Sequence, residues 1–154
     1  MTLYLVRHAR AGSRQRWNKD DTLRPLSRVG RAQADGIAGR LARKPIEQII
    51  SSPFVRCLGT VDPLATKLGL PVEFSDALAE GARLAPALRL VEKAYGVETV
   101  LCTHGDVMRD LLDHFGRHGV KLRDHKMEKG SIWVLDVDGG EVRRASYVPP
   151  PKAN

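Results

Sequence analysis

Two histidines and two arginines in this 154-residue chain have the types and positions that chemistry on a phosphoryl group requires. Arg7 and His8 directly follow the apolar run 3–6, and His104 follows a second apolar run near the middle of the chain. A neutral imidazole is a competent covalent nucleophile, and a guanidinium matches phosphate oxygens with a planar fork of donors. If Arg56 joins them, the four side chains would form a phosphate site, with His8 as the nucleophile and Arg7 as the clamp. The alternative for Arg7 and His8 is a strand that simply ends in polar residues.

Arg56 follows Ser51-Ser52-Pro53, where a short strand gives way to a helix. Proline is favoured in the first turn of a helix, so Arg56 falls close to the positive end of the helix dipole. A cation is unfavourable there unless an anion is bound, in which case the helix terminus and the guanidinium serve the same ligand. The alternative is that Arg56 is a solvated surface residue.

Apolar runs that alternate with helically spaced segments predict an α/β fold: a three-layer α/β/α sandwich around a mostly parallel sheet. Ligands in such sheets bind beyond the carboxyl ends of the strands, which is where Arg7-His8, Ser51-Ser52 and His104-Gly105 fall. Asp138-Gly139-Gly140 predicts a hairpin that adds an antiparallel edge. We expect one domain over residues 1–148 and an exposed tail over residues 149–154. Strands are predicted near residues 3–6, 46–51, 70–74, 99–103, 131–137 and 141–148, and helices after Ser27, over 54–68, from Pro86 and over 106–115, with a kink or break near Thr60 caused by Pro63.

The composition favours an anionic partner and argues against several classes of protein. The net charge is +7, the hydrophobic fraction is 42% and the aromatic fraction is 5%. Because the arginines form no tract and aromatic residues are few, a base-stacking platform for nucleic acid is not expected. No apolar run is long enough to cross a bilayer, and the first strand begins too early for a signal peptide. We therefore expect a cytoplasmic protein with no membrane partner.

Cys57 and Cys102 are too few and too far apart for a disulfide framework or a metal site. We expect them to pack as small hydrophobic residues. The alternative is a catalytic Cys102 near His104.

Two basic segments could contribute to anion binding. The polar stretch 9–24 is expected to be a long loop whose arginines 10, 14, 16 and 24 could line an anion site. The stretch 117–129 could guide an acidic partner. In both cases the alternative is a solvated basic loop.

Taken together and in order, Arg7-His8, Ser51-Ser52-Pro53 with Arg56, and His104-Gly105 resemble the histidine phosphatase (phosphoglycerate mutase-like) superfamily. The resemblance extends over nearly the whole chain. In its short length the chain is similar to the bacterial phosphohistidine phosphatases of the SixA type and to the histidine phosphatase domain that follows some Nudix hydrolases. Ala9 departs from the glycine that the family often has there.

The resemblance implies a phosphohistidine intermediate on His8, with Arg7, Arg56 and His104 as ligands of the transferring phosphoryl group. It implies Glu80, within Leu78-Ala79-Glu80, as the acid that protonates the leaving oxygen. Asp106 and Asp76 are alternatives for that role, and a solvated Glu80 is another. Arg24 and Gly105 are the further candidates for substrate binding. No metal or other cofactor is expected.

The sequence therefore predicts a metal-independent phosphatase that hydrolyses phosphomonoesters, phosphohistidine or phosphoanhydrides. Its partner would be a phosphohistidine protein, a nucleotide or another small-molecule phosphate, with a Nudix hydrolase as a further candidate partner. The short segment between Glu80 and Pro86 leaves little room for an insertion that would cap the pocket, which suits a mutase poorly. The first alternative is a non-catalytic module that binds phosphorylated proteins in the same pocket. The second, which rests on charge alone, is a nucleic-acid binder.

Overall fold

The computed structural model describes residues 1–152, in which helices cover both faces of one six-stranded sheet. The strand order is β3-β2-β4-β1-β5-β6, and β3, β2, β4 and β1 run parallel. Strand β5 is antiparallel to β1, and β6 is antiparallel to β5. The prediction of a three-layer sandwich with an antiparallel edge is confirmed. The strands are β1 (Thr2–Arg7), β2 (Gln48–Ser51), β3 (Val72–Phe74), β4 (Thr99–Thr103), β5 (Ile132–Asp138) and β6 (Glu141–Val148), and the helices are α1 (Arg28–Leu41), α2 (Val55–Leu68), α3 (Leu84–Lys93) and α4 (Gly105–Arg117).

Two hydrophobic cores lie on opposite faces of the sheet, and strand β1 contributes to both. Leu3 and Leu5 pack under α3 and α4, whereas Tyr4 and Val6 pack under α1 and α2. This alternation follows from the two-residue period of a strand. Because β1 is buried on both faces, its position and the level at which it ends are fixed by a large apolar area.

The pairing register ends three parallel strands at one level. Arg7 is the register partner of Thr103, and Ser51 is the partner of Cys102. The residues that follow these strands therefore emerge side by side at the carboxyl edge of the sheet. His8 and His104 are two of these residues, so β1 and β4 deliver the two imidazoles to the same edge.

Helix α2 is continuous from Val55 to Leu68, so of the kink or break predicted near Thr60 the break does not occur. An interior proline costs a helix about 3 kcal/mol through its missing hydrogen bond and its ring. Val61 and Leu64, on either side of Pro63, are fully buried. Burial of such side chains contributes about 1.5–3 kcal/mol each, which is enough to keep the helix in one piece.

The other boundary differences are small. Strand β3 begins at Val72 rather than residue 70, and α3 begins at Leu84 rather than Pro86. The long loop 9–24 contains one short 3-10 turn, Asp21–Leu23. Ser27 caps α1 as expected, since its hydroxyl accepts a hydrogen bond from the Gly30 amide at 3.1 Å. No helix within residues 1–152 is both long and apolar enough to cross a membrane.

The segment after β6 is not uniformly exposed, which corrects the expectation of an exposed tail. Pro151 is buried, and its ring lies where a side chain at Gly36 of α1 would project. The Arg40 guanidinium donates a hydrogen bond to the Pro149 carbonyl at 2.6 Å. Residues 149–151 therefore pack against α1, while residues 153 and 154 lie outside the described part of the chain.

The contact between α1 and the loop that follows His8 depends on a glycine. A β-carbon at Gly30 would lie 1.9 Å from the Arg10 carbonyl oxygen, whereas one at Gly39 of the same helix would meet nothing within 4 Å. We predict that Gly30→Ala lowers the free energy of unfolding by about 1–3 kcal/mol through overpacking. Gly39→Ala should be neutral or should stabilise by up to about 1 kcal/mol, because alanine is the better helix former. Urea denaturation of both variants measures this, and equal effects would contradict the assigned packing.

Candidate functional site

His8 and His104 face each other at the carboxyl edge of the sheet, with ring centroids 5.3 Å apart. His8 follows β1, and its backbone amide donates to the Thr103 carbonyl at 3.0 Å, which continues the pairing of β1 with β4. His104 is the N-cap residue of α4. The two histidines predicted from separate parts of the sequence thus lie in one place.

The His8 ring is held in one tautomer. Its Nδ1 lies 2.7 Å from the Ala9 carbonyl oxygen, which can only accept, so Nδ1 carries the proton and Nε2 carries the free lone pair. Burial lowers the pKa of His8 to about 3, and the charges of the neighbouring His104, Arg56 and Arg7 act in the same direction. The imidazole is therefore a neutral base with Nε2 available for a new bond.

The backbone beside His8 is fixed by Thr60 of α2. The Ala9 amide donates to the Thr60 hydroxyl oxygen at 2.9 Å, and that hydroxyl donates to the Arg56 carbonyl at 2.7 Å. This link joins the loop after β1 to the first turns of α2. The sequence analysis did not identify Thr60 as a site residue, because an isolated threonine within a helix carries no signal of such a role.

Arg56 is fully buried in the first turn of α2. Its guanidinium donates to the Asp21 carbonyl at 2.9 Å and to the Asp21 carboxylate at 3.0 Å, and it lies 3.3 Å from the Glu80 carboxylate. Arg56 Nε has no hydrogen-bond partner among residues 1–152. The alternative of a solvated surface arginine does not hold, since the side chain lies inside the protein next to two acids.

Asp21 is the main site residue that the sequence analysis missed. Its carboxylate receives hydrogen bonds from Arg24 Nε at 3.0 Å and from Arg56. Partial burial alone would raise the pKa of Asp21. The hydrogen bonds from Arg24 and Arg56 and their positive charges outweigh this effect and hold the pKa below its usual value. A pair of acids at positions 20 and 21 within a basic loop was the available signal.

His104 is hydrogen-bonded on one side of its ring only. Nε2 lies 2.9 Å from the Ser52 hydroxyl, whose oxygen accepts from the Phe54 amide at 3.2 Å, so the Ser52 O–H is free to donate to Nε2 and Nδ1 then carries the ring proton. Nδ1 is buried without a hydrogen-bond partner, and the nearest acid is Glu80, whose carboxylate oxygen is 3.9 Å away. The ring is oriented by Ser52 and keeps one nitrogen free.

Arg7 is held over the start of α4. Its guanidinium donates to the Met127 carbonyl, and its Nε has no hydrogen-bond partner. A β-carbon at Gly105 would lie 2.9 Å from the Arg7 guanidinium carbon, so a larger residue there would displace the Arg7 side chain from this position. Burial lowers the pKa of Arg7, and the nearby charge of Arg109 adds to the effect.

Glu80 and Arg24 also reach the site. The Glu80 carboxylate is about one-third exposed and lies near Arg56, His104 and Arg14. Arg24 is buried, and its Nη1 donates a hydrogen bond to the Gly12 carbonyl at 2.7 Å. Asp106 and Asp76 were the alternatives to Glu80 as the acid. The Asp106 carboxylate accepts a hydrogen bond from the Gly81 amide at 2.7 Å and so fixes the Glu80 loop. Asp76 is exposed and lies outside the cleft.

Arg7, His8, Arg24 and Glu80 line an open cleft of about 550 Å³. The buried Arg56 and His104 lie next to Glu80 and His8. A larger groove of about 640 Å³ runs along β6, but no histidine lines it and it lies apart from the converging strand ends. Within residues 1–152, no three His, Cys, Asp or Glu side chains converge as metal ligands would. The residues that line the cleft next to His8 are Arg7, His8, Ala11, Gly12, Ser13, Arg14, Arg24, Glu80, Gly105, Asp106, Arg109 and Lys129.

Both cysteines are buried, and the one in contact with His104 is Cys57 rather than Cys102. Cys57 Sγ lies 3.5 Å from His104 Nε2 and 3.7 Å from the Thr103 carbonyl. Both cysteines belong to the core between the sheet and helices α1 and α2, which agrees with the packing role predicted for them.

The lowered pKa of His8 makes stability depend on pH. The unfolded chain binds a proton on His8 below about pH 6.5, whereas the folded protein does so only near pH 3. The contribution of neutral His8 to the free energy of unfolding is therefore fully present above pH 6.5. On acidification it falls by up to about 1.4 kcal/mol per pH unit. We predict that His8→Asn, whose amide can still donate to the Ala9 carbonyl, loses less stability than the wild type between pH 6.5 and 4.5.

Urea denaturation across that pH range measures the difference. His125→Asn, at an exposed position, is the matched control and should follow the wild-type curve. Parallel curves for wild type and His8→Asn would contradict a neutral, buried His8.

Comparisons with known proteins agree with this geometry. The model of the histidine phosphatase superfamily (branch 1) matches residues 3–82. An 8-oxo-(d)GTP phosphatase of Mycolicibacterium smegmatis is 35% identical over 97% of this chain. The chain spans 48% of that relative's length.

Solved structures share the fold. The protein histidine phosphatase SixA complexed with tungstate superimposes with a TM-score of 0.77 at 20% identity, covering 97% of this chain and 96% of that one. A mycobacterial glucosyl-3-phosphoglycerate phosphatase in complex with VO3 gives 0.72 at 19% identity, covering 95% and 96%. With the family model matching more than half of its residues, this chain belongs to the histidine phosphatase superfamily.

Proposed function

We propose that this protein is a metal-independent phosphatase that transfers a phosphoryl group to His8 and then to water. The observation that carries the proposal is a set of three buried nitrogens without hydrogen-bond partners next to His8: Arg7 Nε, Arg56 Nε and His104 Nδ1. A buried donor left unpaired costs about 1–3 kcal/mol, and more when it is charged. The oxygens of a bound phosphoryl group would satisfy these donors.

The position of Glu80 supports the same reading. One of its carboxylate oxygens lies 3.3 Å from Arg56, 3.5 Å from Arg14 and 3.9 Å from His104 Nδ1. A carboxyl oxygen therefore already lies among these donors. A phosphoryl oxygen also accepts hydrogen bonds and carries negative charge, so the same donors suit it.

In the first step, His8 Nε2 attacks phosphorus while the bond from phosphorus to the leaving oxygen breaks. The Glu80 carboxyl group gives its proton to that oxygen. Arg7, Arg56 and His104 bind the equatorial oxygens, where charge is spread in the transition state. The product of this step is a phosphohistidine on His8 and a free alcohol, amine or phosphate.

In the second step, water attacks the phosphohistidine. The Glu80 carboxylate accepts a proton from the water as the phosphorus–nitrogen bond breaks, and inorganic phosphate leaves. The electron pair returns to Nε2, so His8 regains its neutral tautomer with Nδ1 still bonded to the Ala9 carbonyl. Glu80 is protonated again and the cycle closes.

We predict that His8→Asn reduces hydrolysis of an aryl phosphate at least about 1,000-fold, since nucleophile removal leaves only the electrostatic part of catalysis. Phosphate release is the measurement, and addition of EDTA should leave the wild-type rate unchanged. His125→Asn, at an exposed position, is the matched control. Base-stable, acid-labile radiolabel on the wild type but not on His8→Asn would identify the intermediate, and full activity of His8→Asn would end the proposal.

Glu80→Gln tests the acid separately. The variant keeps the size of the side chain and loses the proton donor, so the loss should depend on the leaving group. Because Glu80 also serves the second step, which is the same for every substrate, the comparison uses kcat/KM, which reports only the steps up to phosphorylation of His8. We predict a fall in kcat/KM of about 100-fold or more for an alkyl phosphate but a much smaller fall for 4-nitrophenyl phosphate, whose leaving oxygen needs no proton. Equal losses for the two substrates would reassign Glu80 to binding and would favour Asp106.

The physiological substrate class can be narrowed by direct comparison. The relatives named above suggest a phosphohistidine protein and an oxidised guanine nucleotide as the first two compounds to assay. The alternative of a non-catalytic module for phosphorylated proteins predicts tight binding of such compounds with no release of phosphate.

A further inference from the structure

The mouth of the cleft carries more positive charge than one phosphoryl group requires. Within the described chain, five cationic side chains line it against two carboxylates. Both carboxylates are engaged: Asp106 accepts the Gly81 and Val107 amides, and Glu80 lies among Arg14, Arg56 and His104. The cationic side chains that line the cleft are Arg7, Arg14, Arg24, Arg109 and Lys129.

These cations fall into an inner and an outer group. Arg7 and Arg24 form the inner group. Close to His8, the Arg7 guanidinium donates a hydrogen bond to the Met127 carbonyl and the Arg24 guanidinium donates one to the Gly12 carbonyl. Arg14, Arg109 and Lys129 form the outer group and are exposed. Within residues 1–152, Arg109 and Lys129 make no ion pair, and Arg14 has one at 3.5 Å, with Glu80.

Lys129 is fixed beside His8 by its backbone. The Gly130 amide donates to the Arg7 and His8 carbonyls at 3.1 and 3.0 Å, and the Gln33 side chain donates to the Lys129 carbonyl at 3.4 Å. Gly130 has a φ of 85°, a conformation that favours glycine and turns the chain at this point. The loop before β5 is thus fastened to the end of β1, which keeps the Lys129 ammonium at the rim of the cleft.

We infer that Arg14, Arg109 and Lys129 form a second anion subsite, and that the substrate is a small molecule with a second phosphate group near the one transferred to His8. The inference rests on the proposed function, because it names the substrate class of the same cleft. Arg7 of the inner group, together with Arg56 and His104, would bind the reacting phosphoryl group, and the outer group would bind the second one. A cleft of about 550 Å³ falls in the size range of small-molecule sites.

Inorganic anions test this without a choice of organic substrate. Orthophosphate, pyrophosphate and tripolyphosphate are measured as competitive inhibitors of aryl phosphate hydrolysis in the presence of EDTA. Pyrophosphate should inhibit the wild type at least about tenfold more strongly than orthophosphate, the scale of one charge-assisted hydrogen bond. Lys129→Met should remove most of that preference while affecting orthophosphate less.

Lys126→Met is the matched control, because this exposed lysine lies on the same segment but does not line the cleft. It should keep the wild-type preference. Arg109→Met provides a second test if Lys129→Met fails to fold, as judged by circular dichroism. A wild type with no preference for pyrophosphate, or a preference that both Lys129→Met and Arg109→Met leave intact, would overturn the subsite.

Failure of the proposed function is distinguishable from failure of the subsite. If the protein does not hydrolyse aryl phosphate, the proposed function fails, and direct calorimetric titration with orthophosphate and pyrophosphate then tests the subsite alone. A pyrophosphate preference that depends on Lys129 would support a second anion subsite even in a protein that only binds. Equal affinities for the two anions would overturn the subsite there too.

Discussion

The complete burial of the Arg56 guanidinium is the constraint around which the site is assembled. Transfer of an ion from water into a protein costs several kcal/mol unless partners surround it. The partners come from the Asp21–Leu23 turn, which supplies both a carbonyl and a carboxylate, and from Glu80 after β3. Segments far apart in the chain are thereby drawn to the first turn of α2, next to the ends of β1 and β4.

The partners of Arg56 and its neighbours do not satisfy all of their buried nitrogens, so the site can bind an anion. Arg56 Nε, Arg7 Nε and His104 Nδ1 remain without partners, and the Glu80 carboxylate is shared among several donors. The surroundings that lower the pKa of His8 belong to the same balance, because burial and the neighbouring cations keep its imidazole neutral. A site with surplus donors around a neutral imidazole gains electrostatic stabilisation when a phosphoryl dianion enters.

Features that are encoded by neighbouring residues in the sequence were predictable. Features that depend on a contact between residues far apart in the sequence were not. His8 and His104 each follow an apolar strand, so parallel pairing was enough to place them together. Asp21 meets Arg56 across 35 positions, and no local pattern records that contact. Pro63 misled the prediction for α2 because burial of the flanking turns outweighs the local preference of proline, and Pro151 is buried only because Gly36 leaves space on α1.

The shape of the cleft bears on the choice between hydrolysis and transfer to a second substrate. An enzyme that returns the phosphoryl group to another molecule must shield the phosphohistidine from water, and this needs a segment that closes over the nucleophile. Residues 81–83 alone separate Glu80 from α3, which is too short a connection to form such a cover. The rim is formed instead by exposed cations such as Arg14 and Lys129, which attract anions without excluding water. An intermediate formed on His8 would meet solvent from the open side of the cleft, so this architecture favours hydrolysis over transfer.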